Sequence, residues 1–419
     1  MTEKSKVVWI LQTGEPLHID SDGRRPMRAM NLANQLLNDG HKVVVWSSRF
    51  DHSTKAFRGE DESPLLPAGL EYRLISSTGY RRNLGPGRLI DHALMALNLW
   101  RELRRVAQTD YPNVVFVGYP PIEVAWVLTR WAKAKNIPTL LDIKDLWPEI
   151  FLSVGPDFLQ PLVKLAFAPY FVMARATMKN ATKITAMTTS VVSWAYKFAR
   201  VSVPADTRFF PLAPFADEPE EVRDDNARIW AEQFRVGANK AITLLYVGNF
   251  TRTLNFSPLL DFLSIARKAE LVVKLIICGG GDKKEEMCRL FEDWDEVMFP
   301  GWISRKQHIA LAKQCDFALV PYHCSPDFEI SIPNKVLDSL ALGMPILTSL
   351  DGETRQLVES HDLGSFYVEG RDIYEFAVAQ DSESLARMKN GARELYQSQY
   401  NGKTIYEDMA TYLVSLEGV

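Results

Sequence analysis

The sequence predicts an α/β protein of two Rossmann-like domains, each built on a parallel sheet. Short apolar runs alternate with amphipathic stretches, which is the pattern of β–α units. The alternation begins again after mid-chain, beyond a Pro-rich and acidic stretch. The length of 419 residues also exceeds the usual size of one core. Two such domains facing each other predict a cleft between them, where ligands commonly bind.

Ten apolar runs predict the strands. Those of the first half are Val7–Leu11, Lys42–Ser47, Val114–Gly118, Thr139–Ile143 and Lys183–Met187. Those of the second half are Ile242–Val247, Val272–Cys278, Glu296–Phe299, Phe317–Val320 and Pro345–Thr348. Between the first two strands, Arg25–Asn38 has apolar residues at helical spacing, and Gly40 suits the end of that helix.

The predicted domains follow from this order. An N-terminal domain of residues 1–208 is joined to a C-terminal domain of residues 226–395 by a linker at 209–225, which contains Pro211, Pro214 and Pro219. Residues 396–419 predict a terminal helix, from about Asn401, that returns to the first domain.

Composition excludes several classes of protein. The net charge of −4 argues against bulk nucleic-acid binding. No apolar run approaches the roughly 18–20 residues that cross a bilayer, and the N-terminus does not resemble a signal peptide, so we expect a cytoplasmic protein. The four cysteines contain no CxxC pair, and we expect reduced thiols and no metal site.

Glycines follow two predicted strands of the second half. Gly248-Asn249 and Arg252 come after the first, and Gly279-Gly280 after the second. Glycines at such a strand end let backbone N–H groups approach a phosphate, and arginine adds a fork of donors. The alternative is an ordinary tight turn with a solvated arginine. Gly279-Gly280-Gly281-Asp282 lacks the GxGxxG spacing, so no nicotinamide site is predicted there.

The segment Ser331–Pro345 predicts a ligand-binding helix start. Pro333 suits a first helical turn and leaves Asn334 and Lys335 at the N-terminal end, which favours anions. Lys335 would hold a diphosphate, and Asp338, one turn on, would accept hydroxyls of a ribose. The alternative is a capped amphipathic helix with solvated charges.

These motifs resemble those of the family-four retaining glycosyltransferases, which have the GT-B fold. Asp338, Gly343 and Pro345 match the second half of the family's Glu-x7-Glu segment, whereas Ile330 replaces its first acid and Glu329 lies beside it. The segment Asp142 to Glu149 (DIKDLWPE) resembles the Asp-x-Arg-Asp-Leu-Trp-Pro-Glu segment of one subgroup. Enzymes of that subgroup act in bacterial surface-polysaccharide assembly (O-antigen, capsule or exopolysaccharide).

The resemblance extends to two other segments and covers nearly the whole chain. Phe299-Pro300-Gly301-Trp302-Ile303 matches the segment whose backbone receives the nucleotide base, with Gly301 and Trp302 as the expected contacts. Gly14 and Gly23-Arg24-Arg25 correspond to the first-domain glycine-rich loop. The family resemblance implies transfer of a hexosyl group from a nucleotide-diphosphate sugar, with UDP or GDP as the nucleotide and without a further cofactor.

The resemblance also implies a mechanism. The departing phosphate takes the acceptor proton, and Arg252, Lys335 and helix N-termini stabilise its charge without a metal. Asp142 aligns with a catalytic-site position, and its carboxylate would contact the transferred sugar or orient the acceptor. Asp145 is a second candidate, and either residue can instead be a cap. The motifs Asp20-Ser21-Asp22 and Asp293-Trp294-Asp295 are interpreted as solvated acidic turns rather than metal sites.

The acceptor is less visible. Gly79–Arg105 mixes arginines with apolar residues, which suits either an anionic membrane surface or the basic outer face of a core helix. The membrane interpretation predicts a polyprenyl-diphosphate-linked or glycan acceptor at the inner face of the plasma membrane. Rival functions are a non-catalytic partner with the same fold, a nucleotide-sugar 2-epimerase and a lectin-like module.

Overall fold

The computed structural model describes residues 5–20, 25–59, 66–82, 85–153, 158, 160–215, 225–234 and 241–418. The chain divides into two compact units. The first unit comprises Met1–Leu212 with Thr404–Val419, and the second comprises Ala213–Lys403. The boundary at Leu212 falls inside the predicted linker, of which residues 216–224 lie outside the described residues.

The described part of the first unit is built on a six-stranded parallel sheet. The strands of the unit, including two outside this sheet, are β1 (Val7–Leu11), β2 (Lys42–Ser48), β3 (Phe50–Asp51), β4 (Ala56–Phe57), β5 (Leu70–Ile75), β6 (Val114–Tyr119), β7 (Thr139–Ile143) and β8 (Lys183–Ala186). Its helices are α1 (Arg28–Asn38), α2 (Pro86–Leu103), α3 (Ile122–Ala134), α4 (Gln160–Ala166), α5 (Ala168–Asn180) and α6 (Thr189–Ala199). The sheet order is β5-β2-β1-β6-β7-β8, while β3 and β4 form a separate antiparallel pair.

The described part of the second unit repeats this design, in the order β11-β10-β9-β12-β13-β14. Its strands are β9 (Ile242–Asn249), β10 (Val273–Gly280), β11 (Val297–Gly301), β12 (Phe317–Val320), β13 (Ile346–Thr348) and β14 (Gly364–Phe366). Its helices are α7 (Asp225–Glu232), α8 (Ser257–Lys268), α9 (Lys284–Leu290), α10 (Arg305–Ala312), α11 (Pro326–Glu329), α12 (Asn334–Leu342), α13 (Glu353–Ser360), α14 (Gly370–Val378) and α15 (Ser382–Leu395). The last described helix, α16 (Gly402–Ser415), belongs to the first unit from Thr404 onward, and within that unit its Tyr412 donates a hydrogen bond to Asp206 O at 3.2 Å.

Both sheets carry apolar side chains on their two faces. In the second unit, Leu244 and Tyr246 of β9 belong to one core cluster. Leu245, between them, belongs to another. Successive side chains of a strand point to opposite faces, so helices cover both sides of the sheet. This explains why the buried strands are continuous apolar runs.

All ten predicted strands are confirmed, each within two residues at either end. The helix predicted at Arg25–Asn38 begins at Arg28, because Met27 is extended at φ −107° and ψ −168°. In each unit the sheet order is that of a Rossmann fold, and the strand order reverses between β1 and β6 and between β9 and β12. Ligands of such sheets bind at the carboxyl ends of the strands near that reversal.

Candidate functional site

Glycines let three segments of the second unit approach closely at the carboxyl ends of β9 and β10. Gly279 pairs with Gly248 across the two strands, with φ of +136° and +152° respectively. A Cβ on Gly279 would lie 1.9 Å from Gly248 O. One on Gly248 would lie 1.7 Å from Lys335 Nζ. Only glycine fits at these positions, and the space that a side chain on Gly248 would take is occupied by the Lys335 ammonium group.

Lys335 lies in the first turn of α12, as predicted, and reaches the end of β9. Its Nζ donates a hydrogen bond to Val247 O at 2.8 Å and lies 4.9 Å from the centroid of the Tyr246 ring. The side chain is half-buried. Burial lowers the pKa of Lys335 to about 8, against the opposing effect of the Asp338 carboxylate. An ammonium carries three donors and this bond uses one, so the site can bind an anion beside Gly248.

The other residues predicted on α12 lie at its start or one turn beyond it. Pro333 is the N-cap residue rather than part of the first turn, and Asn334 is the first helical residue and is exposed. Asp338 Oδ1 lies 3.9 Å from a guanidinium nitrogen of Arg305, the first residue of α10. Sequence reasoning missed Arg305, although its place in the first turn of a helix capped by Ser304 was a usable signal.

Trp302 follows Gly301, the last residue of β11, where φ is +82°. Its side chain is 66% exposed. A Cβ on Gly280 would lie 2.8 Å from Trp302 Nε1, so the indole lies against the glycine segment after β10. The structure therefore places an exposed aromatic surface, suited to stacking on a base, beside the glycines.

Arg252 and Glu329 are less closely associated with Lys335. Arg252 is exposed, and its charge acts on Glu286 of α9. Glu329 ends α11, and its carbonyl oxygen lies 2.0 Å from where a Cβ on Gly352 would be. Within the described part of the second unit, no hydrogen bond or ion pair joins either residue to Lys335.

The first unit has its own cavity, of about 230 Å³, at the carboxyl ends of β1, β2, β6 and β7. It is lined by Gly14, of the predicted glycine-rich loop, and by Asp145, Glu15, Lys144 and Arg88. Glu15 accepts a hydrogen bond from the backbone N–H of Ala29 at 2.8 Å, and its carboxylate contacts the Lys144 ammonium. The cavity therefore combines charges of both signs, which suits a polar, hydroxyl-rich or anionic ligand. Gly23 and Arg24 lie outside the described residues, as do Ser21 and Asp22.

The structure favours Asp145 over Asp142 as the carboxylate that a ligand can reach, which reverses the order of preference from the sequence. Asp142 lies within β7, is fully buried and pairs with Arg28 Nε at 3.2 Å. Asp145, two residues beyond the end of β7, lines the cavity. Because β7 ends at Ile143, the next residues turn out of the sheet, and the prediction that Asp142 contacts a sugar directly is wrong for this position.

The cavity walls alter the protonation of several groups. Desolvation raises the pKa of Asp145, although its surface is open to the cavity, and the charges of Lys144 and Arg88 oppose this. Burial lowers the pKa of His92 to about 3 and that of His52 to about 4. Both imidazoles are therefore neutral at pH 7. Sequence reasoning missed Glu15, Lys144 and the histidines; for Lys144 the signal was its place directly after a strand.

The basic segment Gly79–Arg105 contributes to this cavity through α2. Arg88 lines it, with its guanidinium carbon 5.1 Å from the centroid of the Trp147 ring. Met95 and Leu99 are buried, whereas Ile90 and Trp100 are exposed. The buried residues show that α2 has a core-facing side, and Arg88 lines the cavity. Contact of its exposed side with a membrane stays a prediction.

Two family models match the chain. "Glycosyl transferase 4-like domain" matches residues 27–213, almost all in the first unit, and "Glycosyl transferases group 1" matches residues 241–382 in the second. Sucrose-phosphate synthase from Thermosynechococcus elongatus superposes with a TM-score of 0.66 at 15% identity, over 97% of this chain and 98% of its own. The chain is a glycosyltransferase with the GT-B fold.

Two further proteins resemble this glycosyltransferase. Anabaena Alr3699/HepE, solved in complex with UDP, superposes with a TM-score of 0.63 at 13% identity, over 98% of this chain and 100% of its own. Chitobiosyldiphosphodolichol beta-mannosyltransferase of Kluyveromyces lactis is 23% identical over 337 residues, which are 75% of this chain and 73% of the relative. Within the described residues, every helix is too short or too polar to span a bilayer.

Proposed function

We propose that the second unit holds a nucleotide-diphosphate sugar, UDP- or GDP-linked, and that the enzyme transfers its hexosyl group to a lipid-linked or glycan acceptor. The transfer is retaining and metal-independent, and it serves surface-polysaccharide assembly in the cytoplasm. The observation that supports the donor site is the position of Lys335. Its ammonium group donates a hydrogen bond to Val247 O at the end of β9, in the space that the absence of a side chain on Gly248 leaves free. An ammonium beside closely approaching backbone suits a diphosphate.

The neighbouring groups account for the rest of the donor. Trp302 presents an exposed indole for the base, beside Gly280. Asp338, one turn beyond Asn334, has a carboxylate able to accept ribose hydroxyls. The complex of Alr3699/HepE with UDP supports a uridine nucleotide, and the Kluyveromyces lactis relative supports an acceptor on a polyprenyl-type diphosphate.

A thermal-shift screen against UDP, GDP, ADP and TDP tests the donor assignment. One nucleotide should raise the melting temperature, because a ligand at about 100 times its Kd stabilises by about 2.7 kcal/mol. Incubation with the matching nucleotide sugar should then release free nucleoside diphosphate by slow hydrolysis. Binding without any release, and without transfer, would indicate a non-catalytic partner with the same fold. The absence of any shift would contradict the donor site.

Stereochemistry is tested separately, at Asp145. Under retention the leaving phosphate accepts the acceptor's proton, so Asp145 serves to orient the acceptor and not as the base. We expect Asp145→Asn to lower kcat/KM by about 10- to 100-fold, and both enzymes to give a product with the donor's anomeric configuration by NMR. Asp39→Asn, on an exposed carboxylate after α1, is the control.

Inversion is the competing mechanism, and the cavity gives it a specific basis. An inverting enzyme needs a carboxylate base at the acceptor hydroxyl. Desolvation raises the pKa of Asp145, which makes its carboxylate a stronger base. The Kluyveromyces lactis relative is named for a beta-mannosyl product. An inverted product, together with a loss of more than about 10³-fold in Asp145→Asn, would contradict retention.

A further inference from the structure

The helices α4 and α5 of the first unit, together with Phe158 before them, leave large apolar side chains uncovered. Phe158, Leu162, Leu165 and Val172 are 77%, 64%, 74% and 65% exposed, respectively. We name these four residues the α4–α5 apolar face. Single exposed apolar residues are common on protein surfaces, but four within 15 residues of chain form a feature that a binding surface explains.

The chain from this face onward carries charge of one sign, although Asp157 directly precedes Phe158. From residue 158 to residue 203 the sequence has no Asp or Glu. The same stretch contains the basic residues Lys164, Arg175, Lys179, Lys183, Lys197 and Arg200. Lys164 lies between Leu162 and Leu165 on α4, and Lys183 pairs with Asp206. Apolar side chains interspersed with cations are the composition of surfaces that bind anionic lipid headgroups.

The apolar face is joined to the cavity by packed aromatic rings. Phe167, between α4 and α5, stacks on Phe151 with centroids 4.5 Å apart, and Phe151 packs edge-on against Trp147 at 4.8 Å. Trp147 in turn lies under the guanidinium of Arg88, which lines the cavity. The junction of α4 and α5 is therefore linked to the cavity wall by continuous packing within the same unit.

We infer that the α4–α5 apolar face docks onto an anionic bilayer and holds the first-unit cavity at the headgroup layer. The apolar side chains enter the boundary of the acyl chains while the basic residues contact lipid phosphates. This inference rests on the proposed function, because a lipid-linked acceptor is presented at that depth. A second copy of the chain is a poorer occupant, since a two-fold interface would place the same cations against each other.

Vesicle sedimentation of the full chain tests the inference. Vesicles of phosphatidylcholine with 40% phosphatidylglycerol should retain the parent at low salt, and pure phosphatidylcholine vesicles should retain much less, about tenfold by partition coefficient. Leu162→Asn/Leu165→Asn should weaken partition to the anionic vesicles by about tenfold or more. Ile229→Asn, a control on α7 whose side chain is 60% exposed, should leave partition unchanged.

Two outcomes would overturn the inference. One is a parent that does not bind anionic vesicles, and the other is a double variant that changes self-association but not partition. The melting temperature of the double variant should match the parent's, because both leucines are exposed, which separates lost binding from lost folding. The rise in melting temperature with nucleotide and the rate of donor hydrolysis, both measured without vesicles, report on the proposed function alone. Both should be the same in the double variant and the parent.

Discussion

Lys335→Ala is expected to lower kcat/KM for sugar transfer by about 10³-fold and to abolish the thermal shift given by the nucleoside diphosphate. The reason is electrostatic: removing one charged donor from a preorganised, partly desolvated site costs about 10²–10³-fold in rate. Here the ammonium also supplies ground-state binding to the diphosphate. Lys268→Ala, on an exposed lysine at the end of α8, is the matched control and should behave as the parent.

The pH dependence of binding gives this prediction a second readout. Because burial lowers the pKa of Lys335 to about 8, the ammonium loses its proton as the pH rises through that value. Bound diphosphate favours the charged form, so nucleotide affinity should fall by up to about tenfold per pH unit above 8 in the parent. Lys335→Ala should lack this dependence. Parallel pH profiles for the two proteins would show that Lys335 does not contact the ligand.

Folding can be separated from function at the same residue. The folded state disfavours the charged form of Lys335, since its pKa lies below the usual value, so this charge lowers the stability of the fold at pH 7. The unfolding free energy of the parent should rise between about pH 8 and pH 10 as the folded lysine deprotonates first. At pH 7 Lys335→Ala removes this unfavourable contribution and loses about 1 kcal/mol for the hydrogen bond to Val247, so its unfolding free energy should fall below the parent's by no more than that amount, and it should lack the rise above pH 8.

The strands that the sequence predicts differ from those that it misses in their runs of apolar residues. The ten predicted strands are apolar runs, and in all but β11 most residues are buried. The two missed members of the parallel sheets, β5 and β14, are edge strands, as are the predicted strands β8 and β11. β5 carries Glu71 and Arg73, which form an ion pair at 2.6 Å, and β14 is three residues long. Neither strand has enough buried apolar side chains to give a recognisable run.

The two halves of the candidate site also differ in how far the sequence could predict them. Gly248 and Lys335 both belong to motifs at strand or helix ends, so their association over 87 positions of chain could be inferred. The first-unit cavity could not be, because its lining depends on which loop side chains turn inward. Asp142 and Asp145 lie three positions apart and differ completely in burial, a distinction set by the residue at which β7 ends.

Arg28→Leu is expected to destabilise the fold by about 3–5 kcal/mol, a large effect for one substitution. Arg28 and Asp142 are 1% and 0% exposed and form an ion pair between α1 and β7. Arg28 also donates hydrogen bonds to Phe210 O and to Met409 Sδ on α16. Removing the cation leaves a carboxylate buried without its partner. Urea or thermal unfolding measures the effect, and Arg105→Leu, at an exposed pair with Glu102, should cost at most about 1 kcal/mol.

Two further measurements identify the buried charge as the cause. Arg28→Leu/Asp142→Leu should recover much of the stability, because an apolar pair replaces the charges. In the single variant, burial without Arg28 raises the pKa of Asp142 further, so the folded state binds more protons than the unfolded state. Its unfolding free energy should therefore fall as the pH rises from about 5 to 8, by more than the parent's does. A defect that is independent of pH, and that the second substitution does not relieve, would mean that Arg28 acts through its contacts with Phe210 and Met409 instead.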